Sequence, residues 1–341
     1  MFKLFLPEQV YFEPGSLEYP LGKDLLEKFK ALNIPIFYLS SHNKINSKTE
    51  NPSEYYSHAK KSIVVGVKKS MKLEPCKPSA DYQFSLVTGC PGSCEYCYLQ
   101  TNQSLKPFTR IYVNIEEILE NVQKYIDINS PNITSFEIGS TCDPISVEHF
   151  TGSVRKTIDF FGKQKYGRLR LVTKFSAIDS LLDALHNKNT KIRFSLNSKY
   201  VIQNFEHNTD SLEERISASG KIYSAGYPLG FIIAPIMYYD GWKEQYIELL
   251  ESLKSKIINP DDANLSFELI QYRFTTKAKK VIIERFPNTK LDMDEANRIK
   301  KWGPYGVYKY VYSKETAFEI KNFFTENINR YFPNANIEYF T

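Results

Sequence analysis

The sequence is poor in the features that most often announce a function. Among 341 residues it has five cysteines, five histidines, four methionines and two tryptophans. No apolar run reaches the roughly 18–20 residues needed to cross a bilayer; the nearest, PLGFIIAPIM at 228–237, is too short. The opening MFKLFLPEQVYF has neither a signal-peptide h-region nor a cleavage site, so a cytoplasmic chain is expected. A cytoplasmic chain keeps its thiols reduced, and five is an odd number. The cysteines therefore read as metal ligands or reactive thiols rather than disulfides. A Rossmann G-x-G-x-x-G and a P-loop are both missing, so no nucleotide signature of those kinds competes. Internal repeats and low-complexity tracts are absent as well.

What is present is aromatic: 24 Tyr and 23 Phe. With 42% hydrophobic and 24% charged residues the chain reads as soluble and globular, long enough for two ordinary domains or one large α/β domain. A net charge of +5 permits nucleic acid as a partner without requiring it.

Residues 1–75 mix strand-like runs (QVYFEP, IPIFYLS, SIVVGVK) with a helix near 17–32, a small α/β segment. KKSMKLEPCKPSADY at 68–82 is rich in Lys and Pro and reads as a linker. An alternation follows. YQFSLVTG (82–89) reads as one strand; Asn114 then caps a helix, with Glu117 three residues on and Ile115, Ile118, Leu119, Val122 and Ile126 on one face. ITSFEIG leads to a helix with Val154, Ile158 and Phe161 in phase, and RLRLVTK to a helix from Ser176 carrying Ile178, Leu181, Leu182 and Leu185. KIRFSLNS leads to a helix after Ser211, where Glu214 completes a capping box. LGFIIAPI precedes a helix with Trp242, Tyr246, Leu249, Leu250 and Leu253, and NLSFELIQ a basic helix around 277–284. About six β/α units in a row make a parallel sheet, an incomplete barrel or an open doubly wound sheet. Ligands of either kind sit at the C-terminal strand ends. From 285 the pattern breaks: RIKKWGPYGVYKYVYSK (298–314) is a hairpin signal with aromatic and basic arms, followed by a helix near 315–331 and a last strand at 335–341. The segments divide as 1–75, 76–285 and 286–341.

TGCPGSCEYCYLQT (88–101) packs Cys90, Cys94 and Cys97 into eight positions, with Tyr96 and Tyr98 flanking the last. Structural zinc wants four ligands, commonly in two C-x-x-C or C-x-x-H pairs. Here the spacing is C-x3-C-x2-C, and the histidines at 42, 58, 149, 186 and 207 are scattered. Three thiolates can instead hold three irons of a [4Fe–4S] cluster and leave the fourth iron open, as a catalytic metal centre requires. Pro91 and Gly92 allow the sharp turn this needs.

A C-x3-C-x-aromatic-C loop after the first strand of a β/α barrel resembles the radical S-adenosylmethionine (SAM) superfamily. The resemblance implies a partial (β/α)6 barrel with a small N-terminal α/β segment and a C-terminal hairpin extension. It implies a [4Fe–4S] cluster on Cys90, Cys94 and Cys97, and SAM chelated to the open iron and cleaved to a 5′-deoxyadenosyl radical. LVTGCPGSCEYCYLQT, FEIGSTCDPI, VTKFS, RFSLNS, IIAPIMYYDGW, ELIQYRFTTKAKK and KKWGPYGVYKYVY stand in an order similar to the spore photoproduct lyase family. That family implies DNA carrying 5-thyminyl-5,6-dihydrothymine as substrate, with hydrogen abstraction at C6, C–C scission and return of hydrogen from a cysteine. It also implies a low-potential electron donor of flavodoxin or ferredoxin type, no membrane, a monomer, and a place in the spore core or germinating cell.

At one point this sequence departs from the family. The family's donor cysteine stands in a local C-T-S-D order, whereas GSTCD puts Ser140 at the donor position and Cys142 at the serine's. A serine O–H bond is too strong to surrender its hydrogen to a carbon radical. Cys142 is two residues on, about 6.6 Å of extended chain, and reacting atoms should meet within roughly 3–3.5 Å. An intact first step and an impaired hydrogen return are therefore expected, with Cys142 the thiol that would carry it and Cys76 incidental.

The resemblance also assigns Lys174, Ser195, Asn197 and the backbone of Ala234 to SAM, beside Tyr96. It lets Tyr96 and Tyr98 relay hydrogen. DNA contacts fall to Arg273, Lys277, Lys279 and Lys280, and to a hairpin wedge with Lys300, Lys301, Trp302, Tyr305, Lys309 and Tyr310. A thymine pair inside a stack cannot be reached, so the lesion must be flipped out and aromatics must replace its lost stacking. Two other readings stand beside this one: a radical SAM enzyme acting on another nucleic acid, and a non-enzymatic iron–sulfur DNA-binding sensor.

Overall fold

The structure, a computed structural model, describes residues 4–42, 45, 49–103, 106–303, 306 and 308–341. The chain divides into two compact units, one of Met1–Pro91 and Leu105–Ile192, the other of Gly92–Ser104 and Arg193–Thr341.

Among its described residues the first unit holds nine strands: β1 (Gln9–Phe12), β2 (Ile36–Tyr38), β3 (Ser62–Gly66), β4 (Glu74–Cys76), β5 (Ala80–Gln83), β6 (Val87–Thr88), β7 (Thr109–Tyr112), β8 (Thr134–Glu137) and β9 (Gly167–Thr173). Five of them form a sheet in the order β2-β1-β3-β7-β6, parallel except for β6. Every residue of β1, β3 and β7 is buried, as in a parallel sheet covered on both faces. The order β4-β5-β8-β9 runs beside each other in a second sheet, parallel after the antiparallel first pair. Along β10 (Thr190–Leu196) the chain passes into the second unit, where β11 (Leu229–Ile236), β12 (Ser266–Gln271) and β15 (Asn336–Phe340) pair in parallel. There β13 (Ile299–Trp302) and β14 (Tyr308–Val311) form a separate antiparallel hairpin.

The helices follow the apolar periodicity. Ile115–Asn129 buries Ile115, Ile118, Leu119, Val122 and Ile126; Ser153–Gly162 buries Val154, Ile158 and Phe161. Leu212–Ser224 starts at a capping box in which Ser211 and Glu214 bond reciprocally. The helices Trp242–Lys254, Thr276–Arg285 and Lys314–Tyr331 also stand where the sequence places them.

Four expectations are corrected. The segment read as a linker carries the β4–β5 pair, fixed where Asp81 accepts hydrogen bonds from the Ser135 backbone N–H and hydroxyl. The run at 82–89 is two strands in two sheets rather than one. Asn114 does not cap its helix; its side chain bonds Lys68 N–H and C=O and the Glu117 carboxylate instead. The segment from Ser176 forms only a 3-10 turn at Asp179–Leu181. It lies so close to the preceding helix that a Cβ on Gly162 would collide with the Leu185 carbonyl, and this packing outweighs the helical pattern. The short helix Lys199–Phe205 and strand β7 escaped the periodicity altogether.

Candidate active site

In the first unit the chain leaves β6 through Gly89, whose φ of +80° is the left-handed conformation that favours glycine. Gly89 N–H bonds the Thr141 carbonyl at 3.0 Å, and the two segments form a parallel bridge between Gly89 and Cys142. Cys90 follows, and the Lys60 ammonium donates to its carbonyl at 2.8 Å. The facing loop begins at Gly139, where a Cβ would come within 2.9 and 3.0 Å of the Val172 backbone N and O. Only glycine lets the chain pass this close to β9 at position 139. Ser140 donates its hydroxyl hydrogen to the Gln83 side-chain oxygen. Cys142 is 7% exposed, and its thiol donates to the Ile138 carbonyl at 3.2 Å. Burial, and then the neighbouring Asp143 charge, push that thiol well above its ordinary range, so Cys142 stays protonated. Asp143 accepts from Thr173 Oγ1 at 2.8 Å and from the Lys174 backbone N–H at 2.7 Å, which fixes the start of the Lys174 loop. Cys76 ends β4 opposite Ala80 and is half-buried.

The second unit begins inside the cysteine loop, and it holds that loop by many bonds. Ser93 and Glu95 N–H groups donate to the carbonyls of His207 (2.7 Å) and Phe205 (2.9 Å). The Glu95 carboxylate accepts from Thr289 and stands 2.8 Å from His207 Nε2. Gln100 donates to the Cys94 carbonyl at 3.0 Å and is itself gripped by Arg285 at 2.6 and 2.8 Å. The Tyr96 hydroxyl donates to Glu206, whose side chain has no exposure, and Arg215 binds the other oxygen of that carboxylate at 2.6 Å. Arg215 also donates to the carbonyls of Ser195 (3.0 Å) and Asp210 (2.9 Å). Burial and the Glu206 charge hold the Tyr96 phenol well above its usual range. Tyr98, by contrast, is 55% exposed. Sequence reasoning missed Glu206, Arg215 and Lys60, because no local spacing marks a partner that is distant along the chain.

Of the residues assigned to SAM in this unit, Ser195 is the penultimate residue of β10 and Ala234 stands beside Pro235 where the β11–β12 register breaks. Asn197 is fully buried. Its amide donates to the Pro235 carbonyl at 2.8 Å and accepts from Tyr246 at 2.7 Å and from the Ser198 N–H at 3.0 Å. Those bonds make it a tie between strand ends.

The hairpin brings Lys301 and Lys309 directly opposite each other, with Trp302 opposite Tyr308. Trp302 is 60% exposed and meets the Tyr308 ring edge-on at 4.5 Å, and Lys300 lies over the Tyr308 ring at 4.4 Å. Burial, together with the charges of Arg273 and Lys301, holds the Lys309 ammonium below its usual range, so the three cations share one locality. Tyr310 stacks on Phe274 at 5.3 Å with two backbone bonds between them, and anchors the hairpin. Lys277 is exposed on the first turn of its helix; Tyr305 lies outside the described residues.

Among the described residues no three His, Cys, Asp or Glu side chains stand ready as a metal site. The donor set still fits an iron–sulfur cluster. All five cysteines carry reduced thiols, three of them lie in one short loop, and dense hydrogen bonding fixes the backbone around them.

A solved spore photoproduct lyase complexed with dinucleoside spore photoproduct is 47% identical, with a TM-score of 0.95 over 99% of this chain and 100% of that one. A doubly substituted spore photoproduct lyase with bound AdoMet and dinucleoside spore photoproduct gives 0.94 at 47% identity over the same shares. The fold is thus that of a radical SAM lyase with a partial barrel. The family model described as spore photoproduct lyase matches residues 5–341. The spore photoproduct lyases of Geobacillus sp. (strain Y412MC61) and Bacillus subtilis (strain 168) are 48% and 46% identical, each over 99% of this chain and over 100% and 99% of their own lengths. The chain belongs to the spore photoproduct lyase family.

Proposed function

We propose that the chain repairs the spore photoproduct in DNA, returning the joined bases to two thymines with a [4Fe–4S] cluster and SAM. The observation that carries this is the match of the whole chain to the family, together with relatives solved with the dinucleoside lesion. Cys90, Cys94 and Cys97 would hold the cluster, which when bound would supply the low-potential electron for reductive cleavage of SAM. Lys174 and Ser195 stand at strand ends suited to the amino-acid part of SAM, and the Ala234 backbone to its adenine. Lys301, Lys309 and Arg273 meet phosphates, while Trp302 and Tyr308 present aromatic faces to the extruded bases. A flavodoxin- or ferredoxin-type protein supplies electrons, and the enzyme works as a monomer.

Of the two tyrosines, Tyr98 suits a hydrogen relay. Its ring is exposed, whereas the Tyr96 hydroxyl is committed to Glu206. Hydrogen return falls to Cys142, the one cysteine in the loop after β8, whose thiol is engaged by the Ile138 carbonyl. One solved relative carries a cysteine-to-alanine and a serine-to-cysteine change together, so Cys76 is the comparison thiol.

The test is anaerobic incubation of reconstituted, reduced protein with a defined dinucleoside lesion, scoring lesion loss and clean thymine return separately. Cys142→Ala should leave lesion loss intact and cut clean return at least tenfold; an unchanged return would remove Cys142 from the mechanism. If Cys76→Ala alone abolishes return, the donor is Cys76. Cluster-loaded protein that leaves SAM intact on reduction would point to the sensor reading.

A further inference from the structure

We propose that Lys60 is a positioning and tuning residue, a fixed positive charge that raises the reduction potential of the cluster held at Cys90. The inference rests on the reading of Cys90 as a cluster ligand. Lys60 is the last residue of the helix Pro52–Lys60 and is only 4% exposed. Lysines are almost never buried to that degree without a local reason. Its ammonium donates to the Cys90 carbonyl oxygen at 2.8 Å and lies 5.2 Å from the centre of the Tyr56 ring.

A residue's carbonyl oxygen and its own sulfur are separated by a few covalent bonds. A cation tied to one is therefore a close neighbour of the other. In a poorly solvated setting such a charge is screened far less than at the surface. Cluster potentials respond to net charge, hydrogen bonding and solvent exposure. Reduction adds one negative charge, so a fixed cation favours the reduced form and moves the potential upward. That is the direction an enzyme needs if a low-potential carrier must deliver an electron to it.

The experiment is an anaerobic redox titration, followed by electron paramagnetic resonance, on full-length protein with a reconstituted cluster and no SAM. Lys60→Arg keeps the charge, Lys60→Gln keeps a hydrogen-bond donor without charge, and Lys60→Met keeps neither. Lys60→Arg should titrate with the wild type. Lys60→Gln and Lys60→Met should shift the oxidised-to-reduced ratio at fixed potential about tenfold towards oxidised, which for one electron is about 59 mV. Wild-type potential in both neutral variants overturns the proposal. So does a shift in Lys60→Met alone, which would credit the hydrogen bond. Failure of both neutral variants to load a cluster also overturns it, since Lys60 then serves assembly rather than potential. Wild-type protein that never acquires a cluster removes the reading of Cys90 instead, a result visible before any variant is made.

Discussion

Carboxylate and guanidinium partners decide how freely a single aromatic can move. Tyr96 is held by Glu206, and Glu206 by Arg215, with neither of the last two side chains exposed. Breaking a buried pair by removing one member leaves an uncompensated charge and costs about 3–5 kcal/mol. Arg215→Met and Glu206→Gln should therefore each lower the urea unfolding free energy by that order, since each leaves the other charge buried without its partner. If the contact positions Tyr96, the effects of Tyr96→Phe and Glu206→Gln on SAM affinity will be strongly non-additive; additive effects would deny the coupling. The cysteines were legible in the sequence because three-residue and two-residue spacings are local. Glu206 was not, since Tyr96 and its partner are 110 positions apart, and surface glutamates look the same in a sequence.

At the scale of elements, capping and turn chemistry were readable wherever the side chain served its own helix. Ser211 and Glu214 close their capping box as written. Asn114 has the same appearance and is spent on Lys68, a residue 46 positions away. The apolar run after Ser176 failed for a similar reason, since packing against Gly162 decided its shape. The hairpin was legible from its turn residues, and its register adds what the sequence withheld, namely that Lys301 faces Lys309. Like charges directly across a strand pair destabilise it, which is what the proposed phosphate contact would offset. Lys301→Ala and Lys309→Ala should each flatten the slope of log affinity against log salt by about one, with little dependence on the lesion. Slopes unchanged within error would take the hairpin away from the DNA backbone.

For the molecule as a whole, stability carries a pH signature from a group outside the chemistry. Burial pushes the Glu148 carboxyl up to about 7, against the opposing N–H bonds of Val154 (2.8 Å) and Arg155 (2.9 Å) at the start of the helix Ser153–Gly162. The folded chain thus binds this proton more tightly than the unfolded chain, whose carboxyl titrates near 4.5. Its contribution to stability is full below that value and is lost as pH rises towards 7, on the order of 3 kcal/mol in all. Glu148→Gln cannot ionise, so urea denaturation of metal-free protein between pH 5 and 7 should fall less steeply than for the wild type. Parallel curves would assign the slope to other groups.

If the hairpin grips DNA as proposed, the rung of two ammonium groups also makes nucleic acid its folding partner. Alone in dilute buffer, the two arms push apart at Lys301 and Lys309 and gain only modest compensation from the Trp302–Tyr308 contact. A polyanion laid along them turns that repulsion into shared attraction, so the wedge becomes stiffest only once it has a backbone to hold. Protease sensitivity at the hairpin should therefore fall when DNA is added and return as salt strips the DNA away.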